Sequence, residues 1–161
     1  MKRSIVLGLA VISIWVSFLP AAAGQKAAFY VNLGFSYYKT GQYQMAVEQF
    51  EKALSLDKNY PNIHALLGSA FLQMGNTDKA IAAYKKQIEL TPKIADYHYN
   101  LGLAYQKKQS YDEAVQAFRT AITFDDNVVE AYRNLGYILL MQHALRVCNH
   151  PYQLHLFLHF Y

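Results

Sequence analysis

Apolar and aromatic residues recur along the chain with helical spacing, and the pattern itself recurs. Tyr30, Leu33, Gly34 and Tyr37 are followed 34 positions later by His64, Leu67, Gly68 and Phe71, then by His98, Leu101, Gly102 and Tyr105, and then by Tyr132, Leu135, Gly136 and Leu139. A second set keeps the same interval: Ala46, Ala80 and Ala114, with Phe50, Tyr84 and Phe118. Steps of three and four residues put each set on one helix face. A period of this length is that of a helix–turn–helix unit, which must stack because one hairpin cannot bury its apolar face alone. The glycines and alanines fall where paired helices approach most closely. The leucines and rings fill the space between neighbouring hairpins.

Punctuation places helices over 27–40, 43–56, 61–74, 77–90, 95–108, 111–124 and 129–141. Gly41 and Gly75 follow first helices as helix-ending residues. Ser110 with Glu113 has the form of a capping box, and Thr77 with Asp78 suits the same role. Pro61 and Pro92 fall between units, at first-turn positions where a fixed φ and a missing N–H do no harm. The fold class is all-α, an α-solenoid of stacked antiparallel helix hairpins. Three full units occupy 27–60, 61–94 and 95–128, and a fourth begins with 129–141.

The aromatic, Leu-Gly and Ala positions together resemble the tetratricopeptide repeat family. The resemblance implies a non-catalytic module for protein–protein interaction, with first helices lining a concave groove that holds a peptide. At the family's groove positions stand Phe35 and Tyr38, Gln73, Tyr99 and Lys107, and Arg133 and Tyr137; Asn100 and Asn134, like Asn32, share the sixth position of their units and can meet a ligand backbone or simply follow family usage. Such a mixture suits an extended or helical peptide with apolar anchors, since Tyr rings supply contact area and amides can hydrogen-bond its backbone. Members that clamp the acidic C-terminal tails of heat-shock chaperones carry Lys, Asn and Arg where this chain has Val31, Phe35, Leu66, Asp96 and Asn100. The carboxylate clamp is missing, so chaperone-tail binding is not carried over.

Ahead of the repeats the chain changes character. Lys2-Arg3 precede an uncharged stretch from Ile5 to Leu19, which ends at Pro20 and Ala21-Ala22-Ala23-Gly24. This is the layout of a secretory signal over 1–23 with cleavage after Ala23, and it leaves 24–26 as a short linker. The product is then exported, periplasmic or extracellular. The apolar run is shorter than the ~20 residues of a membrane span. The alternative is an uncleaved inner-membrane anchor over residues 5–23, the one case in which a membrane is a partner.

Hydrophobic residues make up 53% of the chain and charged ones 16%, which is ordinary for an α-repeat protein once the signal is set aside. The net charge of +4 includes Lys2 and Arg3, and residues 27–128 hold ten basic and ten acidic side chains. Nucleic acid is not an expected partner, because it needs a clustered basic stripe. The doublets Lys85-Lys86 and Lys107-Lys108 read as solvated helix faces. A single cysteine, Cys148, leaves no internal disulfide framework. Catalysis needs titratable groups gathered in a pocket. The repeats hold only His64 and His98, in the packing register of Tyr30 and Tyr132, and no phosphate loop, Gly-x-Ser-x-Gly elbow or His-Glu-x-x-His pattern occurs. The chain is not read as an enzyme, and no cofactor is assigned.

After Met141 no Lys, Asp or Glu occurs, and Leu154, Leu156, Phe157, Leu158, Phe160 and Tyr161 make a strongly apolar end. A solenoid normally finishes on a polar-faced cap. Residues 142–161 therefore read as a degenerate or artefactual tail, the mark of a truncated or frameshifted longer array. Cys148, Tyr152 and Leu156 do keep register with Ala114, Phe118 and Ile122. Against a second helix there stand Pro151 in its interior and His143 in place of the turn glycine. Cys148, His150, His155 and His159 are zinc-type donors without zinc-site spacing, and no metal site is assigned. The apolar tail and uncapped stack favour self-association. Two functional readings remain: an exported adaptor or assembly factor holding a peptide of an envelope or secretion partner, or the interaction arm of a longer protein such as a glycosyltransferase-type enzyme.

Overall fold

A computed structural model describes residues 24–148, and among them every regular element is a helix. The predicted signal segment and the residues from 149 onward lie outside the described residues. Helix α1 covers 24–39, followed by α2 (Tyr43–Leu56), α3 (Ile63–Gln73), α4 (Thr77–Leu90), α5 (Ala95–Lys107), α6 (Tyr111–Phe124) and α7 (Val129–Cys148). The second helices α2, α4 and α6 stand at the predicted residues. Helix α3 starts two residues later than predicted, because Asn62 at its N-cap takes a left-handed conformation (φ 61°) that no helix can contain.

The first helices α1, α3 and α5 end in one motif, repeated at the 34-residue interval. The N–H of Gly41 donates to the carbonyl of Tyr38 and that of Gln42 to Tyr37; Gly75 and Asn76 do the same to Leu72 and Phe71, and Gln109 and Ser110 to Gln106 and Tyr105. This is a Schellman cap, which needs a left-handed residue. Gly41 (φ 77°) and Gly75 (φ 78°) supply it without strain, whereas Gln109 adopts φ 65° despite its side chain. The capping box does not close: Ser110 is the N-cap of α6, but its side chain makes no capping bond. Thr77 lies inside α4, with its hydroxyl directed at the Gly75 carbonyl at 3.4 Å.

The second helices stop by another device. Asp57 and Asp125 leave α2 and α6 in extended conformation. Their Oδ1 atoms accept the N–H of Asn59 at 3.0 Å and of Asn127 at 2.9 Å, the Asx turn that lets an acidic residue end a helix. At the matching end of α4, Gln87 Nε2 donates to Thr91 Oγ1 at 3.0 Å.

The chain divides into two compact units, Met1–Lys79 and Ala80–Tyr161. In the first, α1 and α2 form a hairpin: a Cβ on Gly34 would lie 2.7 Å from the Phe50 ring, which is wholly buried with Ala46 and Ala53. In the second, α5 and α6 repeat that hairpin, with a Cβ on Gly102 2.6 Å from Phe118. Helix α7 packs on it through Ala131 and Ile138, which join Ala114, Val115, Phe118 and Ala121 in one core.

Helix α7 continues through residues 142–148, seven beyond its predicted end. No Gly or Pro interrupts that stretch, and Gln142 Nε2 donates to Asp112 Oδ1 at 2.8 Å, tying the extension to the start of α6. The predicted tail thus begins, within the described residues, as regular helix.

Candidate functional site

The residues expected to meet a ligand fall on first helices, in both units. In the first unit Phe35 is exposed on α1, with Lys39 Nζ 4.7 Å from its ring centroid. The two are four residues apart, so one helix turn builds this cation–π pair. Tyr38 is half-buried, edge-on to Tyr43 with ring centroids 5.4 Å apart. Burial pushes its hydroxyl above the ordinary value of 10.0, a side-chain hydrogen bond from Gln73 pulls it down, and Tyr43 adds an upward push. A bond that lowers the value favours the phenolate, so the Gln73 amide is the donor. Gln73 sits near the end of α3, and the bond joins two consecutive first helices.

The second unit repeats this arrangement with different groups. Asn134 Nδ2 on α7 donates to the Tyr99 hydroxyl on α5 at 3.4 Å. The Tyr99 ring packs on Phe118 at 5.8 Å and, with Leu103, lies against the core. Its ring is therefore half structural, which the spacing did not reveal. Asn100 is half-buried on the neighbouring face of α5, and Lys107 is exposed in the last turn. Arg133 and Tyr137 project from α7 one turn apart, and Tyr137 is 55% exposed. Asn134, read either as a contact for a ligand backbone or as family usage, is engaged with Tyr99.

In each unit the structure brings together an aromatic hydroxyl and an amide from successive first helices. Phe35 in one unit, and Arg133 and Tyr137 in the other, remain outward. Amides held this way present fixed donors and acceptors, and exposed rings present flat apolar area, the elements of peptide recognition. His98 is occupied structurally: its Nε2 lies 2.7 Å from the Pro92 carbonyl and its ring 5.2 Å from Phe124. Among the described residues no group of three or more His, Cys, Asp and Glu side chains is placed to hold a metal ion, and no helix is long and apolar enough to cross a membrane.

Helix α7 also carries large apolar residues on its outside. Tyr132, Leu139 and Leu140 are all exposed. The pattern assigned Tyr132 and Leu139 to packing between hairpins, yet both are exposed.

Comparison with known proteins places these features in context. Models described as TPR repeat match residues 34–75 and 68–109, and a model described as Tetratricopeptide repeat matches 95–128. No curated protein sequence is similar enough to match. Among solved structures, the crystal structure of MamA is 26% identical, covering 88% of this chain and 82% of that one with a TM-score of 0.71. The first TPR of Spaghetti (RPAP3) bound to the HSP90 peptide SRMEEVD is 22% identical, covering 74% and 95% with a TM-score of 0.71. The Sgt2 TPR domain from Aspergillus fumigatus is 21% identical, covering 78% and 85% at 0.70. At these identities the last two likenesses establish the fold.

Proposed function

The chain belongs to the tetratricopeptide repeat family, and from that premise we propose that it is a non-catalytic interaction module binding a peptide segment of an envelope or secretion partner. The observation that carries the reading is the Asn134–Tyr99 bond at 3.4 Å with Arg133 and Tyr137 outward on the same helix: a positioned polar pair beside free aromatic and guanidinium groups. The Tyr38–Gln73 pair beside Phe35 is its counterpart in the first unit. The solved relative that holds an HSP90 peptide supports peptide binding as a use of this fold. Its acidic ligand is not transferred, because Val31, Phe35, Leu66, Asp96 and Asn100 supply no clamp of positive charge.

A displayed library of short peptides tests the proposal. Enrichment of uncharged sequences with aromatic or aliphatic anchors is expected, and Arg133→Ala/Tyr137→Ala should weaken those ligands by about tenfold or more, the scale of a lost hot spot. Tyr99→Phe is the cleaner probe at that position, since it removes the hydroxyl and keeps the ring on the core. Enrichment unaltered by these variants and by Phe35→Ala would sink the reading. Export is part of the proposal, supported by Lys2-Arg3, the Ile5–Leu19 stretch and Ala21-Ala22-Ala23. The product recovered from a bacterial host is expected to begin at Gly24. Recovery with residues 1–23 in place would make it membrane-anchored instead.

A further inference from the structure

We propose that α7 is a self-association surface: two copies of the chain pair antiparallel through the face carrying Val129, Tyr132, Gly136, Leu139, Leu140 and His143, across a two-fold axis near Gly136. These positions are spaced by three and four residues and form one stripe, opposite the face that buries Ala131 and Ile138. On α1 and α5 the corresponding face is closed by the second helix of the hairpin, with Phe50 against Gly34 and Phe118 against Gly102. A Cβ on Gly136 would meet nothing within 4 Å. Residues 142–148, which in the 34-residue register would make the turn and open that second helix, are part of α7 itself. The stripe is left open among the described residues, with Val129 69% and Leu140 73% exposed.

Charge and shape select a second copy as the occupant. The first turn of α7 carries Glu130, Asp126 lies in the turn just before it, and the last turn carries Arg146. Antiparallel pairing sets each acidic end against the basic end of its mate and opposes the two helix dipoles, whereas parallel pairing would align like with like. The stripe is self-complementary about Gly136, because Tyr132 on one side is balanced by Leu139 and Leu140 on the other. The missing side chain at the centre lets the two backbones approach closely. The stripe from 129 to 143 runs about 22 Å along the helix, which makes a small contact at or below the lower end of the specific size range, about 1,200 Å² in total. An affinity of about 1–100 μM is expected for a contact of this size.

Sedimentation equilibrium of the full chain over that concentration range, beside Leu139→Glu/Leu140→Glu, reads the proposal directly. A monomer–dimer equilibrium is expected for the parent, weakened at least tenfold in the double variant and to a lesser extent by Arg146→Glu. All three altered positions are exposed, and an unchanged circular dichroism spectrum establishes that the fold persists. Oxidation of Gly136→Cys in a Cys148→Ser background should give an intermolecular disulfide, since a two-fold axis there holds the two Cα atoms near disulfide distance. Glu48→Cys in the same background should not. A parent that stays monomeric throughout, or association that survives the double variant, overturns the proposal: the face is then covered within one chain or association runs elsewhere. Peptide binding is tested separately, at Phe35, Tyr99, Arg133 and Tyr137, none of which lies in the stripe.

Discussion

Gly34, Gly102 and Gly136 hold the same place in their repeats, and their surroundings decide what each will tolerate. A methyl on Gly102 would enter the ring of Phe118, which is wholly buried and has nowhere to go. Gly102→Ala is expected to destabilise by about 1–3 kcal/mol, while Gly136→Ala, in open space on a helix, should stabilise by up to about 1 kcal/mol. Thermal melts of the two variants at low protein concentration check the opposite signs. Gln109 offers a second contrast, because it pays for a left-handed turn that glycine supplies freely at positions 41 and 75. Gln109→Gly should add about 1 kcal/mol, readable as a shift in the denaturation midpoint. Tyr38 and Tyr97 bear on pH: burial raises both hydroxyls above 10.0, with Asp96 adding to the rise at Tyr97. The folded state therefore holds protons that the unfolded chain loses. Their contribution is full below the ordinary tyrosine value and is lost as pH rises through the raised ones. Alkaline denaturation should start later in Tyr38→Phe/Tyr97→Phe, and phenolate absorbance in the parent should rise late for two groups.

At the scale of the element, helix existence and second-helix ends were legible because they rest on local chemistry. The apolar period, the turn glycines and the prolines between units act within a few positions of themselves, and the Asp57 and Asp125 turns that the structure adds are equally local. The starts and stops that differ at Asn62 and at α7 have identifiable causes, while α1 simply begins at 24 and takes in the predicted linker 24–26. The Gln109 turn shows that a glycine is not obligatory where α6 is present to be packed; His143 occupies the same register, yet the chain stays helical through it. His143→Gly should therefore loosen the extension by about 1 kcal/mol. Amide hydrogen exchange is the measurement: protection is expected to fall over 144–148 and to remain over 129–141. Equal loss along the whole helix would mean that α7 opens as one unit and that Gln142–Asp112 is not a separate anchor.

For the whole molecule, the proposed reading of the first-helix residues calls for uncharged, apolar ligands. Isothermal titration with an acidic peptide ending in a free carboxylate should show affinity at least about tenfold weaker than for the best library peptide, because no cluster of cations compensates its desolvation. The candidate site was partly legible in advance. The spacing placed Phe35, Tyr99, Arg133 and Tyr137 on first helices, but it could not divide them into the half-buried Tyr99 and the outward others, since burial depends on which neighbour a ring meets. The exposed stripe of α7 was not legible for the same reason.

The 34-residue period determined by itself that the repeats are helical, where their hairpins close and which family the chain belongs to, because those properties follow from patterns that repeat within the reach of a turn or a helix face. Tertiary structure alone decided that Tyr99 is fixed by Asn134, that Tyr38 is bonded to Gln73, and that Gly136 faces open space where Gly34 and Gly102 face rings. These are contacts between residues far apart in sequence. The same local motif leads to different surroundings once one helix runs on where another turned.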